Sequence, residues 1–216
     1  MSNNLYGKLT LAAAFFTLTN IYAGTVIYST LGAGNAYEGD ATWDINGPGS
    51  VNGFQAIADP FTPGSSYSLT QIDAALDYYD GTNSVTLSLN ADSGGLPGAV
   101  LESWVITGLP AAATTSTLVQ TVTPVSSLLL NAGTQYWIVV TAAGSTDAGW
   151  NENSLGLFGN YAHESSQGGG WAFNSGQRLA AFDVQGTIPG SSVPEPATFA
   201  FAAAGLLALG LFKQRG

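Results

Sequence analysis

The sequence predicts an all-β protein, an antiparallel β-sandwich of jelly-roll-like architecture, with one apolar helix at each end of the chain. Three observations predict it. Two runs alternate apolar and polar residues with a period of two: Ile72, Ala74, Leu76 and Tyr78, then Val85, Leu87 and Leu89. Between the two ends no apolar stripe of helical period appears. Glycine is abundant, with 28 residues, while only 8% of the chain is charged, a balance that suits many short strands joined by turns.

Taken in order, Thr25 to Tyr28 reads as a short strand between Gly24 and a glycine-rich segment. Tyr37 to Ser50 reads as a loop anchored by Trp43. Val51 to Ala58 reads as a strand stopped by Asp59-Pro60, because proline has no amide to donate. Tyr67 to Tyr79 reads as one strand, with Asp73, Ala75, Asp77 and Tyr79 on its solvated face. Asp80-Gly81-Thr82-Asn83 is a turn, and Ser84 to Asn90 alternates again, so the two runs are expected to form a hairpin. A turn-rich loop, 90–98, leads to a strand over Ala99 to Thr107. Further strands are expected at Thr115 to Val122 and Leu128 to Leu130. Gln135 to Thr141 is apolar on both faces, the mark of a central, covered strand. Gly144 to Gly170 reads as loop, and Trp171 to Phe173 and Arg178 to Gly186 as closing strands, for eight to ten strands in all. The resulting division is 1–23, 24–186 for the β domain, 187–192 as a linker and 193–216 as a terminal segment.

The two ends carry a different grammar. In 1–23 Lys8 is the only charge, and the apolar stretch Leu9 to Ile21 leads into Tyr22-Ala23. That order is the one of a secretory signal peptide, with cleavage expected between Ala23 and Gly24. At the other end Val193-Pro194-Glu195-Pro196 is stiff and non-helical. Ala197 to Phe212 is sixteen residues without a charge, and Lys213 and Arg215 close the chain. As a helix that run spans about 24 Å at ~1.5 Å per residue, a little short of a hydrocarbon core of about 30 Å. Snorkelling of Lys213 and Arg215 covers the difference, and the basic end favours the cytoplasmic side. An ordinary C-terminal membrane anchor fits the same residues.

Charge narrows the partners. Between Gly24 and Ser192 stand one basic residue, Arg178, and thirteen acidic ones, and the whole chain carries a formal net charge of −10. Such a surface cannot neutralise phosphates, which excludes nucleic acid. There is no cysteine, so the exported domain must stand on its core without disulfides.

Sites for chemistry are sparse. The single histidine, His163, lies beside Glu164 without the strand–elbow–helix context of a serine nucleophile. Asn90, Asp92 and Gly95 fall where a calcium loop has positions one, three and six, but position twelve is Leu101 instead of an acid, and a turn-stabilising role is favoured. Asp73 and Asp77 are spaced to share a solvated strand face, with Asp80 at its turn. The domain is therefore expected to be no enzyme, and to need no metal or cofactor. Trp43, Trp150, Tyr161 and Trp171 fall in or near expected loops, where rings either anchor loops or stack on sugars. Trp150 and Trp171 are the candidate stacking residues of a carbohydrate-binding, lectin-like module, the alternative function.

The order Pro-Glu-Pro, apolar helix, basic end resembles a PEP-CTERM sorting signal over residues 193 to 216. The resemblance implies export in a Gram-negative, exopolysaccharide-producing bacterium and processing by an exosortase, a membrane-embedded cysteine protease that reads Pro194, Glu195 and Pro196. It also implies at least transient residence in the membrane and a place at the cell surface. The SGGLPG turn at 93–98 and the run NAGTQYWIVV at 131–140 resemble the choice-of-anchor R domain over about residues 50 to 186, a family that accompanies such tails. Together they imply a structural or adhesive surface protein that associates with extracellular polysaccharide.

Overall fold

The computed structural model describes residues 24–112 and 117–190. The expected signal peptide at 1–23, residues 191 and 192 of the expected linker and the expected sorting segment at 193–216, with its apolar run 197–212, lie outside the described residues. Within them the protein is all-β, with fourteen strands and antiparallel pairing between every pair of neighbouring strands. They are β1 (Thr25–Ser29), β2 (Tyr37–Asn46), β3 (Ala56–Phe61), β4 (Tyr67–Ala74), β5 (Leu76–Asp80), β6 (Ser84–Asp92) and β7 (Pro97–Thr107). The remainder are β8 (Gln120–Val122), β9 (Leu129–Leu130), β10 (Tyr136–Ala142), β11 (Asp147–Asn153), β12 (Phe158–Glu164), β13 (Ala172–Arg178) and β14 (Phe182–Thr187).

Three sheets result. The largest runs β13-β12-β3-β10-β6-β7; a second runs β1-β14-β4-β8, with β9 also on β4; the third is β2-β11-β5. One core unites them. Ile57, Leu87, Leu89, Ile138 and Val140 of the largest sheet pack in the same cluster as Ile72, Phe182 and Val184 of the second and Ile45, Leu76 and Trp150 of the third. As expected, β10 is central and covered on both faces. Its Ile138 and Val140 face this core, while Trp137 and Val139 pack with Ala58, Ala162, Leu96 and Trp171 on the other side.

Several expectations fail, each for a physical reason. The hairpin about Gly81 does not form: β5 belongs to the smallest sheet and β6 pairs with β10 and β7. The run Tyr67 to Tyr79 is not one strand either. It changes sheets at Ala75, whose N–H donates to Ala181 O at 3.0 Å and whose carbonyl accepts Asn151 N at 2.8 Å. Asp73 and Asp77 are consequently buried, at 3% and 4% exposure, and not on a solvated face.

Tyr37 to Asn46 is a strand, not a loop. It forms one edge of the smallest sheet, where exposed Asp40 and Asp44 keep a free edge from pairing further. Strand β3 runs through Pro60 instead of stopping before it. Its pairing with β12 ends at Ala58, so the missing amide of Pro60 interrupts no bond on that side. The expected loop 144–170 contains β11 and β12. Their polar residues turn inward: Asn153 donates from Nδ2 to Leu179 O at 2.7 Å and accepts Leu157 N at 2.8 Å, which satisfies a buried amide as an apolar side chain could not. The expected strand over Thr115 to Val122 shrinks to β8, with 113–116 outside the described residues.

Candidate functional site

Sequence reasoning named four aromatic residues as ligand candidates, and the fold separates them. Trp150 lies in the middle of β11, opposite Trp43 on one side and Leu76 on the other, and is wholly buried. Its Nε1–H donates to Ala181 O at 3.1 Å and its ring meets Phe182 at 5.7 Å. No face of that ring is open to a sugar, which corrects the expectation that it stands in a loop. Trp171, just before β13, packs partly buried against the second cluster of Ala58, Trp137, Val139 and Ala162.

Trp43 and Tyr161, by contrast, come together. Strands β2 and β12 belong to different sheets, yet the two rings are 4.5 Å apart at 36° and both are half-buried at the rim of the core. Trp43 Nε1–H donates to Arg178 O at 3.1 Å, which fixes the indole. Two residues along β12, the His163 ring lies 6.0 Å from Tyr161, and its Nδ1 is 2.7 Å from the Asn174 amide on β13. Asn174 Nδ2 is the donor there, so the ring proton belongs on Nε2. Arg178 closes the edge with an ion pair to Glu152 at 3.4 Å. The Glu164 carboxylate does not orient His163; it accepts Gly170 N–H at 3.2 Å.

Beneath this rim Asp59 is completely buried. Burial pushes its carboxyl up to about 8, against the opposing bond from Ala180 N–H at 2.7 Å to Oδ2. Its Oδ1 has no hydrogen-bond partner. Burial and, secondarily, Asp59 raise the Tyr28 hydroxyl to about 12 and shift Tyr161 in the same direction. The carboxyl is thus neutral at pH 7, a polar floor without charge.

A pairing of two carboxyl groups, by contrast with the lone Asp59, was invisible in the sequence. Asp73 on β4 stands directly opposite Asp183 on β14, and Asp183 is 5% exposed. Asp73 accepts Gln71 Nε2 at 2.7 Å, Gln185 Nε2 at 3.2 Å and the Thr121 hydroxyl. Burial first, then the charge of Asp73, lifts Asp183 to about 6. Asp147 stands opposite Asp80 where β11 pairs with β5, and Ser50, Asp80, Ser145 and Asp147 help line a cavity of about 180 Å³. Asp147 is already bound by the Asn52 amide at 2.6 Å. Among the described residues no three metal-ligating side chains converge.

The loop 90–98 resolves as a turn. Asp92 Oδ1 accepts Gln135 Nε2 at 2.8 Å and Trp137 Nε1 at 2.9 Å, and Oδ2 accepts Gly95 N–H at 3.1 Å. The bond from Trp137 is the chief reason the carboxyl is held below its ordinary range. A carboxylate so occupied serves the turn. It also ties the SGGLPG turn to the NAGTQYW run.

The described residues thus define an all-β domain with antiparallel sheets and a half-open aromatic rim. Residues 192–215 match the PEP-CTERM protein-sorting motif. No curated protein and no solved structure matches the chain. The motif implies an exported, membrane-transiting protein processed by an exosortase, a membrane protease. Pro194, Glu195, Pro196, Lys213 and Arg215 fall within the matched residues and outside the described ones. The cleavage pair straddles the boundary: Ala23 is outside, and Gly24 is the first residue described.

Proposed function

We propose that this protein is a non-enzymatic component of the cell surface of a Gram-negative bacterium, exported through 1–23 and sorted through its C-terminal segment. The observation that carries this reading is the position of the sorting motif. The last strand, β14, ends at Thr187, and the motif begins at residue 192. A short tether therefore separates the β domain from the segment that an exosortase would read at Pro194, Glu195 and Pro196. The apolar run 197–212 holds the protein in the membrane, with Lys213 and Arg215 on the cytoplasmic side, until processing. The β domain, a jelly-roll-like sandwich akin to choice-of-anchor R domains, is then a structural or adhesive module in the exopolysaccharide layer.

Replacing Pro194, Glu195 and Pro196 together by alanine leaves export intact and blocks maturation. Fractionation followed by immunoblotting and intact-mass measurement reads both ends of the chain at once. Normal processing of the triple variant overturns the sorting role.

A second reading, glycan binding, is favoured by the Trp43–Tyr161 pair. Its half-open rings, with the His163 and Asn174 polar groups alongside, are the kind of surface on which a sugar ring stacks. On a glycan array Trp43→Ala or Tyr161→Ala abolishes binding if this reading holds, and absence of binding by the parent protein excludes it.

A further inference from the structure

Both ends of the β domain leave it on one side. Thr25, the first residue of β1, pairs with Gly186 near the end of β14, and Gly186 and Thr187 pair with Leu69 and Ser68 at the start of β4. The segments 1–23 and 191–216 therefore join the domain at the same place. Leu129 and Leu130 of β9 pair with Ser68 and Tyr67, which brings the loop 131–135 there as well. Two further loops are bonded to that one. Gly133 N–H donates to Pro63 O at 2.9 Å and Ala132 N–H to Ser66 Oγ at 3.1 Å. Gln135 Nε2 donates to Asp92 Oδ1 at 2.8 Å, which joins the 92–96 turn. The two chain ends and three loops thus make one connected end of the molecule.

This end has its own composition. The segments 24–26, 62–68, 92–97, 129–135 and 187–190 contain a single charged residue, Asp92, although thirteen acids stand between Gly24 and Ser192. Asp92 is the carboxylate whose oxygens already accept three N–H groups. Val26, Leu129 and Ile188 are each half or more exposed here. The loops between them present serine, threonine and asparagine, small polar groups without charge. An acidic domain is repelled by anionic lipid headgroups. With only Asp92 at its surface, this end approaches them with little of that cost.

We propose that this end is a lipid-facing surface, resting on the bilayer in which 197–212 is held. Val26, Leu129 and Ile188 enter the headgroup layer, as the apolar side chains of interfacial segments do. The hydroxyl and amide groups of 62–66 and 131–135 bond to the headgroups beside them. The nine residues 188–196 span at most about 30 Å when extended, so the tether keeps this end near the membrane. The inference rests on the reading of 197–212 as a membrane-held segment, and adds which end of the β domain that membrane meets.

The chain has no cysteine, so a single introduced one reports a single position. Thr134→Cys and Ser65→Cys place a bimane label at this end. Ser145→Cys places it just beyond Ala142, at the far end of β10 from Tyr136. Each full-length protein is reconstituted into vesicles of phosphatidylethanolamine and phosphatidylglycerol, with and without a lipid carrying a nitroxide on its headgroup. The expected result is several-fold stronger quenching at 65 and 134 than at 145. Leu129→Glu/Ile188→Glu lowers the quenching at 134 to the level at 145. Protein that floats with the vesicles but is quenched equally at all three positions overturns this inference alone, as does undiminished quenching at 134 in the Leu129→Glu/Ile188→Glu variant. Protein that fails to float with the vesicles overturns the membrane-held reading of 197–212 and this inference with it. The comparison among the three labels changes only exposed residues, so it decides even if the double variant is less stable.

Discussion

Asp92 shows how much one side chain can organise. Its two oxygens take three N–H groups, from Gly95 in its own turn, from Gln135 just before β10 and from Trp137 within it. The spacing of Asn90, Asp92 and Gly95 suggested a truncated calcium loop in sequence, and the turn-stabilising alternative is the one that these bonds support. Nothing local indicated that the partners would come from more than forty positions away. Bonds to a charged acceptor contribute more than neutral ones, so Asp92→Leu is expected to cost about 2–3 kcal/mol, read as a lower urea midpoint. Because the carboxyl is held below its ordinary range, its contribution is present above the unfolded value and fades as pH falls through the folded one. Trp150 marks the contrary case. A tryptophan amid Asp, Gly, Asn and Glu looks like a loop ornament, yet it is the centre of the core. Trp150→Ala should destabilise by about 3–5 kcal/mol in thermal or urea unfolding.

At the scale of elements, alternation identified strands well and partners poorly. Val85, Leu87 and Leu89 do face the core, and β10 is central as its two apolar faces require. Period two says which face of a strand is buried and nothing about which strand lies beside it. Hence the alternation on either side of Gly81 predicts a hairpin, although the chain crosses there from one sheet to another. Gly81 has φ +77° and its missing β-carbon leaves room for the Ser145 carbonyl, a backbone approach that a simple hairpin turn would not need. Apolar alternation does not reveal strand β11, because Gly149 and the polar Asn151 and Asn153 stand among its buried residues beside Ala148 and Trp150. Gly149 sits there because Asp77 Oδ1 and Tyr79 Oη, at 2.5 and 2.9 Å from where its β-carbon would be, fill the space. Gly149→Ala should therefore cost about 1–3 kcal/mol through overpacking, measured as a shift of the unfolding midpoint.

For the whole molecule, charge is the dominant fact. Thirteen acids against one base between Gly24 and Ser192 force the fold to bury carboxyls without cations. Asp59 rises to about 8 and Asp183 to about 6. A carboxyl whose folded value exceeds its unfolded one binds its proton more tightly when folded. Its stabilising effect is then complete below the unfolded value of about 3.9 and is lost as pH rises through the folded value. The protein should be most stable in mild acid and weaken steadily towards pH 8. Asp59→Asn, which keeps an acceptor for Ala180 N–H and cannot ionise, should flatten the part of that decline between about pH 6 and 8. Urea midpoints across this range check it, and an unchanged slope would remove Asp59 from the account.

The sequence by itself determined the all-β class, the central place of the 135–141 run and the sorting motif at the C-terminus. Each is written in contiguous residues, where period, composition and order are complete within a short window. Only the tertiary structure decided that Trp43 meets Tyr161, that Asp73 meets Asp183, and that Trp150 is core. Those pairings join strands far apart in the chain, and sheet order is chosen by how whole faces pack, a quantity that no single window contains.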